Sequence, residues 1–171
     1  MTRDQKIVAV GAASGVAAML LAMWLLTTKV LPVPAGMDNL ADRLAYPLRW
    51  LPLAALPLFL MLAAVGNARF GSEAIDPTLG KEDRKTLING RVADNTLQQF
   101  VLLVAGSLGV AASVPPAWLQ VTGAAAIVFA FCRIAFWIGY RIHPLYRAFG
   151  FSSTAYLNLG LLVGAIWLAL A

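Results

Sequence analysis

Five long apolar runs set the limits of what this chain can become: Ile7 to Thr27, Leu48 to Val65, a run opened by Arg91 that reaches Val114, Trp118 to Tyr140, and Ser152 to Ala171. Backbone groups inside a bilayer find no water to bond, so runs of this length cross it as helices. The expected fold class is therefore all-α integral membrane, with several passes. Sixty per cent hydrophobic and 12% charged residues, with a mean hydropathy of +0.76, leave no room for a separate water-soluble domain. Arg3 and Lys6 precede the first run as in a signal peptide, but the run is too long for one. The Lys29-Val-Leu-Pro-Val-Pro stretch that follows it offers no small-residue cleavage site.

Charge and special residues narrow the function. A net charge of +5 and a pI near 9.8 would suit nucleic acid, yet the basic residues lie in connections between spans, where membrane topology already accounts for them. No nucleic-acid partner is expected. A single cysteine, Cys132, and a single histidine, His143, rule out an internal disulfide and give no recognisable metal motif. Cys132 reads as a small core residue, and His143, just before Pro144, as a solvated turn residue rather than a base. Gly11 and Gly15, and again Gly160 and Gly164, have the spacing that lets helices approach closely.

The most informative polar stretch is Arg91-Val-Ala-Asp-Asn95-Thr-Leu-Gln98. On a helix of 3.6 residues per turn, Arg91, Asn95 and Gln98 share one face, with Asp94 beside it. Polar groups just inside a bilayer are costly without partners, so this stripe is either a ligand site or an interfacial cap in which Asp94 and Asn95 satisfy the first backbone amides. Arg133 lies deep in the fourth span and needs its own explanation, either an ion pair between helices or a place in a polar cavity. Tyr140, seven residues on, shares its face about 10 Å along the axis. Arg69 ends the second span, where snorkelling to headgroups competes with a role in the site.

Placing the N-terminus inside puts Arg3, Lys6, Arg69, Lys81, Arg84, Lys85, Arg91, Arg141 and Arg147 on the cytoplasmic side, against Lys29, Arg43 and Arg49 outside. The C-terminus then lies on the opposite side. In this arrangement Arg69, Arg91, Asn95, Gln98, Tyr140 and Arg147 reach one membrane level and can share a pocket, within a subunit or between subunits. An arginine-rich pocket suits carboxylates, because the planar guanidinium binds them through two parallel bonds and stays charged. The apolar walls suit a lipophilic molecule arriving from the bilayer.

From Leu48 to Ala171 the pattern resembles the MAPEG family, membrane-associated proteins of eicosanoid and glutathione metabolism. The resemblance rests on Ala68-Arg69, Arg91-x-x-x-Asn95-x-x-Gln98, Arg133 through Gly139-Tyr140, and Arg147. It implies a MAPEG-like four-helix bundle (48–171), preceded by an extra N-terminal transmembrane helix (1–32) and a connector (33–47). It also implies a homotrimer with glutathione as co-substrate between neighbours near the cytoplasmic face; the expected location is a bacterial inner membrane. Residues at Arg69, Arg91, Asn95 and Tyr140 would hold the tripeptide, with Gln98 and Arg133 as further candidate contacts, and Arg147 would stabilise the thiolate as the catalytic residue. Gln98 stands where the family usually has glutamate, and Phe136 where glutathione-using relatives often have tyrosine. The implied activity is glutathione transferase or peroxidase on a lipophilic substrate. A non-catalytic, lipid-binding or scaffold protein on the same fold is the alternative, and a transporter fits least, since no internal repeat is visible.

Overall fold

A computed structural model describes residues 1–171 and contains five long helices, each long and apolar enough to cross a membrane. Helix α1 (Arg3–Leu25) begins with a capping box: the Thr2 hydroxyl accepts from the Gln5 amide at 3.2 Å, and the Gln5 side chain accepts from the Thr2 amide at 2.9 Å. These bonds satisfy two of the amides that a helix start leaves free. The helix widens into a π-type turn at Leu26–Val30 and stops where Leu31 turns extended, just ahead of Pro32.

Helix α2 (Leu40–Phe70) starts at an Asn39 cap and contains Pro47, Pro52 and Pro57. The connector is thus shorter than the expected 33–47, because Leu40 to Pro47 is already helix. Arg43 explains the early start. Its Nε donates to the Ala111 carbonyl at 3.1 Å and its Nη2 to the Val114 carbonyl, so a cation caps the C-terminal end of the next helix.

Helix α3 (Arg84–Ser113) is capped by Asp83, whose carboxylate accepts from the Thr86 amide at 2.7 Å. Hydrogen bonding to Thr86 holds that carboxyl below the usual carboxylate range. This start lies two turns before Arg91, and Asp94 and Asn95 therefore do not cap the helix. Asp76 does cap the short turn at Pro77–Leu79, as its position before Pro77 predicts. Helix α4 (Gln120–Ile142) follows the turn at Pro115-Pro116. Helix α5 (Ala148–Leu170) follows a turn at Pro144–Arg147, where the His143 ring nitrogen accepts from the Leu145 amide, the turn role expected of it.

Helices α2 to α5 form the bundle, and α1 lies outside it, chiefly against α5 and secondarily against α4. Gly11 faces Ala148 and Gly15 faces Phe149 and Ser153, so α1 and α5 run parallel and begin at the same end. At Gly15 a Cβ would stand 2.2 Å from the Phe149 carbonyl oxygen, and the Ser153 hydroxyl donates to the Gly15 carbonyl at 2.9 Å. The first glycine pair is a close-packing seam. The second is not: nothing lies within 4 Å of a Cβ at Gly160 or Gly164.

Two apolar clusters fill the bundle. The larger includes Leu103, Phe129 and Leu161, and the smaller, nearer the site, joins Met61, Val92, Ala93, Phe136 and Tyr140. A layer of buried polar side chains separates them. Gly150 lets α4 and α5 touch there, since a Cβ would stand 2.5 Å from both the Cys132 carbonyl oxygen and the Phe136 amide nitrogen. Gly150→Ala should destabilise the protein by about 1–3 kcal/mol through overpacking of rigid backbone. Gly160→Ala should stay within about 0.5 kcal/mol. Denaturant midpoints of the detergent-solubilised variants check both, and equal midpoints would contradict the close α4–α5 contact.

Candidate functional site

The separating layer is organised by Arg133, which is 0% exposed. Its Nε donates to the Thr96 hydroxyl at 3.0 Å, and its Nη2 to the same hydroxyl at 2.7 Å and to Asn95 Oδ1 at 2.9 Å. Its Nη1 donates to the Thr154 hydroxyl at 3.1 Å. The two threonines can accept because their own protons go elsewhere, Thr96 to Met61 Sδ at 3.3 Å and Thr154 to the Gly150 carbonyl at 3.1 Å. The guanidinium also sits 4.0 Å from the centroid of the Phe136 ring, within cation–π range. No carboxylate reaches it; the ion pairs of the chain are Arg69–Glu82 and Lys81–Glu73. Arg133 is therefore not half of an interhelical ion pair. It is a buried cation held by neutral acceptors behind the wall of a cavity.

That cavity, about 480 Å³, is lined by Arg91 and Asn95 of α3, Phe136 and Tyr140 of α4, Leu145 and Arg147 of the α4–α5 turn, Ala148, Phe151 and Ser152 of α5, and Val8 of α1. The volume is in the range of small-molecule sites. Arg147 Nη1 donates to the Tyr140 hydroxyl at 3.1 Å, with its guanidinium 5.2 Å from that ring's centroid. The ring of Tyr140 meets that of Phe136 edge-on at 5.9 Å. A smaller space of about 260 Å³ adjoins through Arg91 and Tyr140 and adds Arg84 to the surroundings.

The polarity of Asn95 follows from its partner. Its Oδ1 accepts from Arg133, which leaves the amide nitrogen and its two protons for the cavity. Arg91 and Arg147 have no acidic partner. The cavity thus presents two free guanidinium groups, amide donors and a tyrosine hydroxyl on one side, with Val8, Phe136, Leu145 and Phe151 as the apolar remainder. Such a surface binds an anion and shelters an apolar group beside it.

Of the residues the sequence singles out, Arg91, Asn95, Tyr140 and Arg147 come together in this cavity, and Arg133 supports it from behind. Arg69 does not reach it: its Nε contacts Glu82 at 2.6 Å, neither free nor snorkelling alone. Gln98 is exposed and does not line the cavity. Its neighbour Gln99 turns inward instead and accepts from Asn158 at 2.8 Å. Val8, Thr96 and Thr154 are not among the sequence candidates. The Ser152-Ser153-Thr154 run inside an apolar span was a readable signal for Thr154, whereas nothing marks Val8.

An all-helical membrane bundle with an arginine-lined cavity at one end defines the class of protein. The chain belongs to the MAPEG family, whose model matches residues 48–167. No curated protein and no solved structure matches it. Membership places it among glutathione-related or eicosanoid-related membrane proteins. The matched residues contain every candidate named above except Val8.

Pairing Asn95→Ala with Arg133→Met in a double-mutant cycle should give a coupling of about 1.5–3 kcal/mol, the value of a hydrogen bond to a charged group. Unfolding free energies in detergent measure it. A coupling near zero would show that Arg133 does not orient Asn95.

Proposed function

We propose that the protein is a glutathione-dependent transferase or peroxidase acting on lipophilic electrophiles or hydroperoxides. The supporting observation is the convergence of Arg91 and Arg147, both without a carboxylate partner, on one cavity that also holds the Asn95 amide and the Tyr140 hydroxyl. A tripeptide with two carboxylates and a thiol matches that set of donors. Arg91 and the Asn95 amide would hold carboxylates, and Arg147 would stand beside the sulfur. The reading places the cavity on the cytoplasmic side of a bacterial inner membrane. In a homotrimer, Gln98, which is exposed and does not line the cavity of its own chain, would be free to reach a neighbour's, whereas Arg69 would first have to leave Glu82.

The chemistry follows from charge. A free thiol titrates at about 8.5, and a nearby cation favours the ionised form, each unit of downward shift being worth about 1.4 kcal/mol. Arg147 would thus generate the thiolate, its proton passing to water. In a transferase the sulfur forms a thioether as the electrophile's leaving group departs or its double bond is consumed. In a peroxidase the sulfur attacks the peroxide oxygen, and a second glutathione completes the reduction to alcohol, water and glutathione disulfide. The Tyr140 hydroxyl accepts from Arg147, which leaves its own proton available to a developing alkoxide.

A specific observation supports the non-catalytic alternative. A cavity of about 520 Å³ between α1 and α4, from Ala18 and Met19 to Phe131 and Phe149, is lined by apolar residues throughout and suits a lipid chain. Titrating the solubilised protein with glutathione and following thiolate absorbance separates the two readings. A saturable signal, with an apparent thiol pKa well below 8.5 that returns towards about 8.5 in Arg147→Ala, supports the enzyme. Co-purified lipid with no glutathione response supports the scaffold. Gln98→Glu should tighten glutathione binding by about tenfold or less, as a neutral contact to the ligand's ammonium becomes charged. An unchanged affinity would take Gln98 out of the ligand's surroundings.

A further inference from the structure

Helix α1 precedes the residues that the family model matches, yet Val8 lines the same cavity as Arg91, Tyr140 and Arg147. We propose that α1 is a working wall of this cavity and that Val8 determines the size of the apolar group accepted next to Arg147. The proposal extends the glutathione reading to the second, lipophilic substrate; only its ligand-binding arm rests on that reading.

Three observations carry it. The first is the seam that fixes α1 in place: Gly11 and Gly15 abut α5 at Ala148 and Phe149, and Ser153 bonds to the Gly15 carbonyl. Val8 lies one turn before Gly11, so its position is set by backbone contact and not by a flexible tether. The second is the division of the cavity. Its cationic groups come from α3 and the α4–α5 turn, whereas its apolar lining includes Val8 and the Phe136–Phe151 pair, whose rings lie 6.4 Å apart. An apolar substrate attacked by a thiolate held at Arg147 would lie against that lining. The third is exposure. Val8 is 39% exposed and lines the cavity, while Val10, 200° further round the helix at 100° per residue, is 70% exposed and does not line it.

Cys132 is the chain's single cysteine, so a Cys132→Ala background makes any introduced thiol unique. In that background Val8→Cys and Val10→Cys are labelled in membranes with an anionic methanethiosulfonate and with its cationic counterpart. The wall places Val8→Cys in a cavity whose only charged residues, Arg91 and Arg147, are cationic. It should react with the anionic reagent at least tenfold faster than Val10→Cys does, and faster than with the cationic reagent. Equal rates at the two positions, or a preference for the cationic reagent at position 8, would overturn the proposal whatever glutathione does.

The second arm compares glutathione with S-hexylglutathione. Val8→Trp should lose at least tenfold more affinity for the bulky ligand than for glutathione, and Val8→Ala should shift the preference the other way. Val10→Trp should behave as the wild type. An unchanged size preference in both Val8 variants, with glutathione still bound, would overturn the role of Val8 while leaving the glutathione reading intact. Fast anionic labelling of Val8→Cys in a protein that binds neither ligand would uphold the wall and reject the glutathione reading.

Discussion

A guanidinium group with no counter-ion sits at the junction of α3, α4 and α5, and the geometry of the site is inherited from how it is held. Burying such a charge costs several kcal/mol even after the surroundings relax. Arg133 recovers that cost through bonds to Thr96, Thr154 and Asn95 and through the face of Phe136, each of which lies on a particular turn of its helix. Sliding α3 or α5 by one residue would rotate these acceptors by about 100° and strand the charge. The registers of three helices are therefore coupled to one side chain. Two of its contacts, Asn95 and Phe136, are also cavity wall, so the buried layer fixes the direction of the amide protons and the plane of the ring that a ligand meets.

The same arrangement biases the cavity electrostatically. Arg91 and Arg147 face it directly, Arg133 stands behind Asn95, and no carboxylate lines it. Low-dielectric walls focus such a field, so an anion gains more here than at an open surface. The benefit is mutual, because the anion supplies the counter-charge that the polypeptide withholds. That is a sounder basis for expecting a ligand than the presence of arginines alone, since Arg69, equally prominent in the sequence, has its charge answered by Glu82.

How much of this was legible in the sequence depends on whether a feature is local or tertiary. The spans and their ends follow from hydropathy and charge, and the meeting of Arg91, Asn95, Tyr140 and Arg147 follows from spans that alternate in direction. Boundaries shifted where a cap outside the apolar run took over: Asp83 starts α3 ahead of Arg91, and Asn39 starts α2 inside the expected connector, with Pro47 tolerated as its eighth residue. Gln98 shows the limit of a helical stripe. The buried face of α3 runs through Val92, Thr96, Gln99 and Leu103, and Asn95 lies at its edge. Gln98 falls beyond that edge, and only the neighbouring helices decide which edge is covered. Thr96, an acceptor of Arg133, was hidden for the same reason, as a lone hydroxyl in one span gives no sign of the cation it will meet from another.

The N-terminal helix owes its place to the same division between local and tertiary causes. Its link to α2 runs through residues 31–39 at the end of the bundle away from the cavity, and a connection there can carry little orientation over the whole length of a span. The register of α1 must instead come from the seam, where Gly15 meets the Phe149 carbonyl oxygen more closely than any side chain could allow. A seam built on backbone contact tolerates neither rotation nor sliding of the helix. Val8, less than two turns from Gly15 in the direction of the cavity, is therefore held almost as firmly as the residues of the bundle itself. A helix added only to cross the bilayer would need no such precision, and its seam with α5 ties the first span to the cavity that the other helices form.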